Sequence, residues 1–266
     1  MKTRILSAIV MALVLIPILL IGGLPFKIFI MFLAICSLYE IMNVRKKSKE
    51  IPICIRIISY ILVGIFVFLG TNVYASNYEI IYKIITILFL IYFIPVVFIN
   101  DNNKYSFLDA MYVLGSTMFF SIAYNSCISI FNSNIVYLLY LVIITISTDT
   151  FAYFTGYFIG SHKLCEKISP KKTWEGAIGG SFVATFIGTI YYVFIIGGST
   201  NVLLVVFVSL LLSILGQLGD LFFSSIKRYY KVKDYSKLIP GHGGILDRLD
   251  SIIFVILTYS LFMTII

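Results

Sequence analysis

Residues 202–226 read VLLVVFVSLLLSILGQLGDLFFSSI, and this stretch decides the fold because Asp220 is its only charged residue. A helix that crosses a bilayer needs about 20 mostly apolar residues. Nine such stretches, this one included, occur near residues 5–22, 25–42, 53–71, 80–99, 108–131, 135–160, 176–197, 202–226 and 249–266. The pattern predicts an all-α, polytopic integral membrane protein with about nine transmembrane helices.

The composition excludes a water-soluble protein. Of the 266 residues, 60% are hydrophobic and only 12% are charged, whereas a soluble domain carries about a quarter charged residues. The net charge of +8 is typical of a nucleic-acid-binding protein when the chain is soluble. In a chain this apolar, the charge instead indicates cytoplasmic loops beside an anionic lipid leaflet, and no nucleic-acid partner is expected.

The basic residues predict the orientation, because cytoplasmic loops carry an excess of Lys and Arg. If the N-terminus is cytoplasmic, 18 of the 20 basic residues fall in the N-terminal segment or in the loops after predicted helices 2, 4, 6 and 8. Only Lys27 and Lys83 fall on the opposite side. The sequence therefore predicts a cytoplasmic N-terminus and an outside C-terminus.

Acidic residues within the predicted spans are concentrated in the second half of the chain. Asp149 and Asp220 lie inside spans, and Asp247 and Asp250 open the last one. A carboxylate inside a membrane is costly and therefore marks a candidate functional site. The prediction is an N-terminal membrane region, 1–131, and a catalytic membrane region, 132–266, which includes the cytoplasmic loops 161–175 and 227–248.

The spacing of these residues favours a cation and a phosphate. Asp220, Ser224 and Lys227 are spaced at i, i+4 and i+7, so they share one helix face, and Asp247 and Asp250 at i and i+3 share another. Mg²⁺ prefers oxygen ligands and binds through a few carboxylates together with substrate phosphates. Lys and Arg offset the remaining phosphate charge. The predicted metal ligands are Asp220, Asp247 and Asp250.

The loop before the last helix supports this interpretation. Residues 224–250 read SSIKRYYKVKDYSKLIPGHGGILDRLD. The glycine-rich turn at 240–244 lets the backbone approach a ligand closely, and the helix N-terminus that follows favours a phosphate. Structural and transport roles stay open here. Asp149 alone suits a helix–helix hydrogen bond equally well, and intramembrane acids also occur in ion-coupled transporters.

Two glycine pairs favour helix packing over chemistry. Gly156 and Gly160 form one GxxxG pair, and Gly176 and Gly180 form another. Small residues at this spacing let helix backbones approach closely in membranes. Both pairs are therefore interpreted as packing faces.

The segment 224–250 resembles the signature of the phosphatidate cytidylyltransferases, also called CDP-diacylglycerol synthases. That pattern runs Ser, two residues, Lys-Arg, four residues, Lys-Asp, a small residue, Pro-x-His-Gly-Gly and Asp-Arg-x-Asp. At the family's spacing the chain has Ser224, Lys227, Arg228, Lys233, Asp234, Ser236, Pro240, His242, Gly243, Gly244, Asp247, Arg248 and Asp250. The stretches 149–160 and 169–180 also resemble family motifs, so the resemblance covers roughly residues 145–252.

The resemblance implies a Mg²⁺-dependent nucleotidyltransferase of phospholipid biosynthesis. CTP and phosphatidic acid would give CDP-diacylglycerol and pyrophosphate, with Mg²⁺ paired with a second cation such as K⁺. A homodimer in the bilayer is what the family suggests. The expected catalytic residues are Lys227, Arg228, Asp247 and Asp250. The expected substrate-binding residues are Ser224, Lys233, Asp234, His242, Gly243, Gly244, Arg248, Lys171, Lys172 and Asp149.

Three other functions stay open at the level of sequence. A CTP-dependent polyprenol or dolichol kinase would transfer the γ-phosphoryl group, and an isoprenoid-lipid cytidylyltransferase would use another acceptor. An ion-coupled transporter would spread its intramembrane acids over both halves of the chain. Short loops without soluble extensions favour a bacterial plasma (inner) membrane, with the active site facing the cytoplasm.

Overall fold

The computed structural model describes residues 2–46, 48–73, 78–197 and 201–263. Within these residues the chain forms nine α-helices, and each falls on one of the predicted apolar stretches. They are α1 (Lys2–Ile21), α2 (Gly23–Arg45), α3 (Ile53–Val73), α4 (Tyr78–Ile99), α5 (Phe107–Ser133), α6 (Ile135–Ile159), α7 (Trp174–Tyr191), α8 (Val202–Tyr229) and α9 (Leu246–Phe262). A short π-helix, Tyr192–Ile196, extends α7.

Seven of these helices are long and apolar enough to cross a membrane, counted over the described residues. They are α2 to α8, with α7 taken together with its π-helical extension. The apolar part of α1, Ile9–Ile21, is shorter, and α9 has 17 residues. The all-helical membrane architecture is therefore confirmed, whereas the count of nine spans and the orientation of the termini stay predictions.

Polar side chains define where three of the helices begin. The side-chain oxygens of Asn134 and Asn201 accept hydrogen bonds from Val136 N (3.0 Å) and Leu203 N (2.9 Å) at the starts of α6 and α8. Thr173 Oγ1 does the same for Gly176 N (3.1 Å) at the start of α7. Each cap satisfies an amide that has no partner within its own helix.

The predicted loop 161–175 contains a short β-hairpin between α6 and α7, a local feature of an otherwise helical fold. Strand β1 (Lys163–Cys165) pairs antiparallel with β2 (Ser169–Thr173). Strands this short show no clear period-two pattern, so sequence reasoning treated the segment as an irregular loop. β2 leads directly into α7, which places Lys171 and Lys172 just before that helix.

The chain divides into two compact units. The first unit comprises residues 1–128 and 232–247, and the second comprises residues 129–231 and 248–266. The stretch 232–247, which contains the glycine-rich turn, thus belongs to the first unit. The predicted division into residues 1–131 and 132–266, and the catalytic role of the second region, stay predictions.

A buried carboxylate organises one part of the first unit. The side chain of Asp109, in the first turn of α5, is only 1% exposed and forms ion pairs with Arg45 and Lys49. Ser106 donates to the same carboxylate through its backbone N–H (2.8 Å) and its hydroxyl (2.7 Å). Asp109 therefore connects the end of α2 to the start of α5.

Glycines allow α6 and α7 of the second unit to pack closely. A Cβ atom on Gly180 would lie 2.7 Å from the carbonyl oxygen of Thr148, and one on Gly176 would lie 2.6 Å from that of Ala152. A Cβ atom on Gly156 would lie 3.6 Å from Gly176 Cα. The interpretation of the GxxxG pairs as packing faces is confirmed.

A hydrogen-bond network links α8 to the same pair of helices. Ser213 Oγ lies 2.8 Å from Thr148 Oγ1 of α6 and donates to Ser181 Oγ of α7 (3.1 Å). Gln217 Nε2 donates to Ser181 Oγ (2.8 Å) and to the carbonyl of Ala177 (3.2 Å). Interhelical hydrogen bonds of this kind stabilise helix association in a membrane.

The close packing of α6 on α7 leads to a first prediction. Gly180→Ala should lower the melting temperature of the detergent-solubilised protein, because overpacking costs about 1–3 kcal/mol. Gly115→Ala in α5 is the matched control, since a Cβ atom there would meet nothing within 4 Å. It should leave the melting temperature unchanged or raise it, because alanine is the better helix former. Equal melting temperatures for the two variants would contradict the packing interpretation.

Candidate active site

The second unit contains a cavity of about 540 Å³ beneath the hairpin. This volume lies within the range of about 300–1,000 Å³ that is typical of small-molecule sites. Helix α6, the hairpin, the start of α7 and the middle of α8 form its wall. The lining residues are Asp149, Ala152, Tyr153, Gly156, Tyr157, Lys163, Leu164, Lys171, Lys172, Thr173, Gly176, Ala177, Gln217 and Asp220.

Four of the predicted site residues meet in this cavity. Asp149 and Asp220 come from two different helices, and Lys171 and Lys172 come from β2. Lys172 Nζ lies 2.6 Å from Asp220 Oδ2, and Ser224 Oγ donates to Asp220 Oδ1 (3.2 Å). The structure thus brings these widely separated residues to one cavity, and their roles as site residues stay predictions.

The ammonium group of Lys172 is only partly satisfied by this ion pair. Its Nζ atom is buried, and within the described part of the chain no neighbour meets the geometry of a hydrogen bond to it. Its contact with Asp220 Oδ2 is an ion pair at 2.6 Å. An anion that enters the cavity can accept the N–H groups of Lys172 and so satisfy this donor.

A third carboxylate of the second unit belongs to the same electrostatic cluster. Asp250 interacts electrostatically with Asp149 and Asp220, and also with the ammonium group of Lys227. Lys172 interacts in the same way with Asp149. Asp149, Asp220 and Asp250 therefore form one electrostatic cluster, with Lys172 and Lys227 as cationic neighbours.

Close packing of α9 on α8 holds Asp250 near Asp220. A Cβ atom on Gly219 would lie 2.8 Å from the Phe254 side chain, and one on Gly216 would lie 2.8 Å from Val255 Cγ2. The two glycines therefore allow α9 to pack closely against α8 in the turn before Asp220.

Arg228 connects the end of α8 to the hairpin turn. Its Nε donates to the carbonyl oxygen of Ile168 (3.2 Å), which lies between the two strands. Lys227, one residue earlier, is buried at 8% exposure. The predicted Lys-Arg pair thus includes one buried cation beside the carboxylate cluster and one exposed cation that steadies the hairpin.

The predicted residues of the first unit lie in the loop 232–247. Asp247 Oδ2 accepts hydrogen bonds from Tyr235 N (2.9 Å) and Gly244 N (2.8 Å). Gly243 adopts a φ of +88°, a conformation that disfavours residues with a Cβ atom. Asp247 therefore closes the loop on itself, which sequence reasoning did not anticipate.

The remaining predicted residues of this loop have different environments. His242 Nδ1 lies 2.7 Å from Ser7 Oγ of α1. Lys233 and Asp234 are exposed, as is Arg248, which belongs to the second unit. Whether these side chains contact substrate stays a prediction.

Sequence reasoning missed Glu40, a fully buried residue of α2. Its carboxylate accepts hydrogen bonds from Ile245 N and Leu246 N, both at 2.8 Å, and from Ser236 Oγ at 2.6 Å. Glu40 lies inside the predicted span 25–42, so the rule that intramembrane carboxylates mark functional sites would have identified it. Together with Asp247, it occupies the amides at the start of α9, where the sequence predicted a bound phosphate.

Lys163 of β1 is a second residue that sequence reasoning did not assign to the site. It lines the cavity together with Tyr153 and Tyr157 of α6, whose rings stack with their centroids 6.3 Å apart. No local signal marks Lys163, because its position depends on strand pairing with Thr173.

Comparison with known proteins gives a consistent result along the whole chain. The profile of the cytidylyltransferase family matches residues 2–266. A protein of Staphylococcus haemolyticus named phosphatidate cytidylyltransferase is 36% identical over 257 residues, which is 96% of each chain. Proteins of the same name from Staphylococcus aureus and Staphylococcus epidermidis are 37% and 35% identical over the same shares.

The cavity leads to a second prediction, which concerns anion binding. Inorganic tripolyphosphate should bind the detergent-solubilised protein at low ionic strength, and Lys172→Met should weaken binding by roughly 10- to 100-fold. Lys167→Met is the matched control, because Lys167 is exposed in the same hairpin and does not line the cavity. Isothermal titration calorimetry measures both, and equal affinities for the two variants would argue against the cavity as the anion site.

Proposed function

Because the chain belongs to the cytidylyltransferase family, we propose that it transfers CMP from CTP to phosphatidic acid, giving CDP-diacylglycerol and pyrophosphate. The observation that carries this proposal is 36% identity over 96% of the chain to a protein named phosphatidate cytidylyltransferase. Such a reaction would supply the activated lipid for phospholipid biosynthesis.

The charge pattern of the cavity supports a nucleoside triphosphate as substrate. Lys163, Lys171 and Lys172 line it, and ammonium groups bind phosphate oxygens. Tyr153 and Tyr157 add aromatic surface to the same wall. In this proposal the lysines of the hairpin hold the triphosphate, and Lys227, Arg228 and Arg248 neutralise charge that develops during transfer.

The proposed chemistry is an in-line displacement at the α-phosphorus of CTP. A non-bridging oxygen of the phosphatidate monoester attacks, a new P–O bond forms, and the bond to the β-phosphate oxygen breaks with its electron pair leaving on pyrophosphate. A phosphate monoester loses its second proton near pH 6, so it is already nucleophilic at neutral pH. The protein therefore supplies positioning and charge stabilisation rather than a covalent nucleophile or a dedicated base.

The carboxylate cluster of the second unit fits a divalent cation. Asp149, Asp220 and Asp250 interact electrostatically with one another and so lie close together. No group of three or more His, Cys, Asp and Glu side chains in the described residues forms a ready-made cage. Mg²⁺ usually binds through one or two carboxylates together with substrate phosphates and water. When bound, Mg²⁺ would offset charge on the phosphate oxygens.

The signature residues receive the roles that the resemblance implies. Asp220, Asp247 and Asp250 are the proposed Mg²⁺ ligands, and a second cation such as K⁺ is part of the proposal. Ser224, which donates a hydrogen bond to Asp220 Oδ1, is a proposed substrate-binding residue. For the first unit, we propose that Lys233, Asp234 and His242 contact substrate from the loop 232–247, in which Gly243 and Gly244 form the turn.

The setting that we propose is a bacterial plasma membrane. The relatives compared above come from species of Staphylococcus. Seven helices of the described residues are long and apolar enough to span a bilayer. The distribution of basic residues supports nine spans, a cytoplasmic N-terminus, an outside C-terminus and a cytoplasmic active site. A homodimer is included on the resemblance alone.

The alternative functions receive less support. The named relatives are phosphatidate cytidylyltransferases. A CTP-dependent polyprenol or dolichol kinase would differ from them in the group transferred. An isoprenoid-lipid cytidylyltransferase would differ in the acceptor. An ion-coupled transporter is disfavoured because the relatives are named as transferases.

A third prediction distinguishes these functions by which phosphorus atom of radiolabelled CTP is transferred to lipid. With phosphatidate and Mg²⁺, label from [α-³²P]CTP should enter the lipid extract, label from [γ-³²P]CTP should not, and pyrophosphate should be released. Dolichol phosphate and dolichol serve as competing acceptors in parallel samples. Transfer of the γ-label would establish a kinase, and transfer to no lipid would exclude the proposed reaction.

A fourth prediction concerns the proposed cation. Asp220→Asn should lower CMP transfer by at least about 100-fold, because charge stabilisation in such sites is worth several kcal/mol. It should also raise the Mg²⁺ concentration needed for half-maximal activity. Removal of Mg²⁺ by a chelator should abolish activity reversibly. Asp101→Asn is the control, since Asp101 lies in the loop after α4 and pairs with Lys104. An unchanged Mg²⁺ requirement in Asp220→Asn would remove Asp220 from the ligand set.

A further inference from the structure

The buried carboxylate of Glu40 is engaged entirely by the loop that carries the signature. Oε1 accepts from Ser236 Oγ (2.6 Å) and Ile245 N (2.8 Å), and Oε2 accepts from Leu246 N (2.8 Å). These donors lie 196 to 206 positions away in the chain, yet all belong to the first unit. Glu40 therefore binds α2 to both sides of the glycine-rich turn.

The position suits a negative charge. Ile245 N and Leu246 N are at the start of α9, where the first amides of a helix have no partner in the helix itself. The positive end of the helix dipole also favours an anion there. No cationic side chain in the described part of the chain forms an ion pair with Glu40. Hydrogen-bond donors and the helix terminus thus compensate the buried charge.

The turn is shaped to admit this carboxylate. A Cβ atom on Gly244 would lie 2.5 Å from Glu40 Oε1, so any other residue would displace one of the two. On the other side of the same peptide segment, Gly244 N donates to Asp247 Oδ2 (2.8 Å). Three consecutive amides, those of 244, 245 and 246, are therefore divided between Asp247 and Glu40.

This division links Glu40 to the orientation of Asp247. Asp247 follows Leu246 directly, and its Oδ2 is held by Tyr235 N (2.9 Å) and Gly244 N. If the amides of Ile245 and Leu246 lose their acceptor, the first turn of α9 can shift, and the backbone of Asp247 shifts with it. A displacement of about 1 Å at a reacting group can cost about 100-fold in rate.

We propose that Glu40 is a positioning residue for CMP transfer, which holds the start of α9 so that Asp247 is correctly oriented. This inference rests on the proposed function. Only a carboxylate satisfies the geometry, because both oxygens accept backbone N–H groups. In Glu40→Gln, either orientation of the amide places its NH₂ group against a backbone N–H donor.

The test compares Glu40→Gln with Glu50→Gln, measured on the full-length protein in detergent. Glu50 is exposed beyond the end of α2. Its variant therefore makes the same replacement of glutamate by glutamine at a position without buried contacts. Hydrogen–deuterium exchange of a peptide that contains residues 244–246 reports directly on the clamp, which is the set of hydrogen bonds between the Glu40 carboxylate and this loop. Steady-state kinetics with CTP and phosphatidate report catalysis, and the melting temperature reports the fold.

The expected result separates positioning from simple stabilisation. In Glu40→Gln, exchange at 244–246 should accelerate, kcat should fall by roughly 10- to 100-fold, and KM for CTP should change less than about threefold. The half-maximal Mg²⁺ concentration should rise, because Asp247 is a proposed ligand. Glu50→Gln should match the wild type in every measurement.

Two outcomes would overturn the inference. Unchanged exchange at 244–246 would show that Glu40 does not hold the turn, and faster exchange with an unchanged kcat would show that the clamp does not serve catalysis. If Glu40→Gln does not fold, Ser236→Ala removes one hydrogen bond from the same carboxylate and should show the same pattern with a smaller amplitude. A wild-type protein without CMP transfer would reject the proposed function, whereas the exchange measurement would still decide the clamp.

Discussion

The structure depends on the compensation of carboxylates that lie away from bulk water, because an uncompensated buried charge is strongly unfavourable. Each such group meets a different partner. Asp109 is compensated by Arg45 and Lys49, and Glu40 by the amides at the start of α9. Asp220, which is only half-buried, pairs with Lys172 and accepts a hydrogen bond from Ser224. These contacts connect elements that are far apart in the chain, so the cost of burying charge is what specifies which loop meets which helix.

The cavity follows from close helix packing. Because Gly156, Gly176 and Gly180 have no side chains, α6 and α7 approach until backbone atoms meet. The hairpin enters α7 through the cap at Thr173, so its position is fixed by the same contact. Lys171 and Lys172 therefore reach the wall on which Asp149 and Asp220 lie. A substitution at a packing glycine would therefore shift the charged residues of the cavity, although it replaces none of them.

The two units contribute different chemistry. The second unit brings lysines and carboxylates together at one cavity, which suits a polyphosphate that arrives with a divalent cation. The first unit contains the glycine-rich turn, whose amides are engaged by Asp247 and Glu40 rather than exposed for an anion. The glycines of that turn thus allow the protein's own carboxylates to approach. A glycine-rich turn that binds phosphate and a turn that admits the protein's own carboxylates have the same sequence requirement, namely residues without a Cβ atom.

The sequence by itself determined the membrane class, the locations of nine helices within the described residues and the family. These properties are encoded locally, in apolar runs of helical length and in a contiguous signature. Sequence reasoning also found Asp149 and Asp220, because charges within apolar spans are conspicuous, and the family resemblance indicated Lys171 and Lys172. Only the tertiary structure decided that Lys163 lines the cavity, that Lys172 pairs with Asp220 and that Glu40 holds the start of α9. Each of these depends on partners that packing brings together from distant positions, and a buried group takes whichever partner the fold places within hydrogen-bond distance.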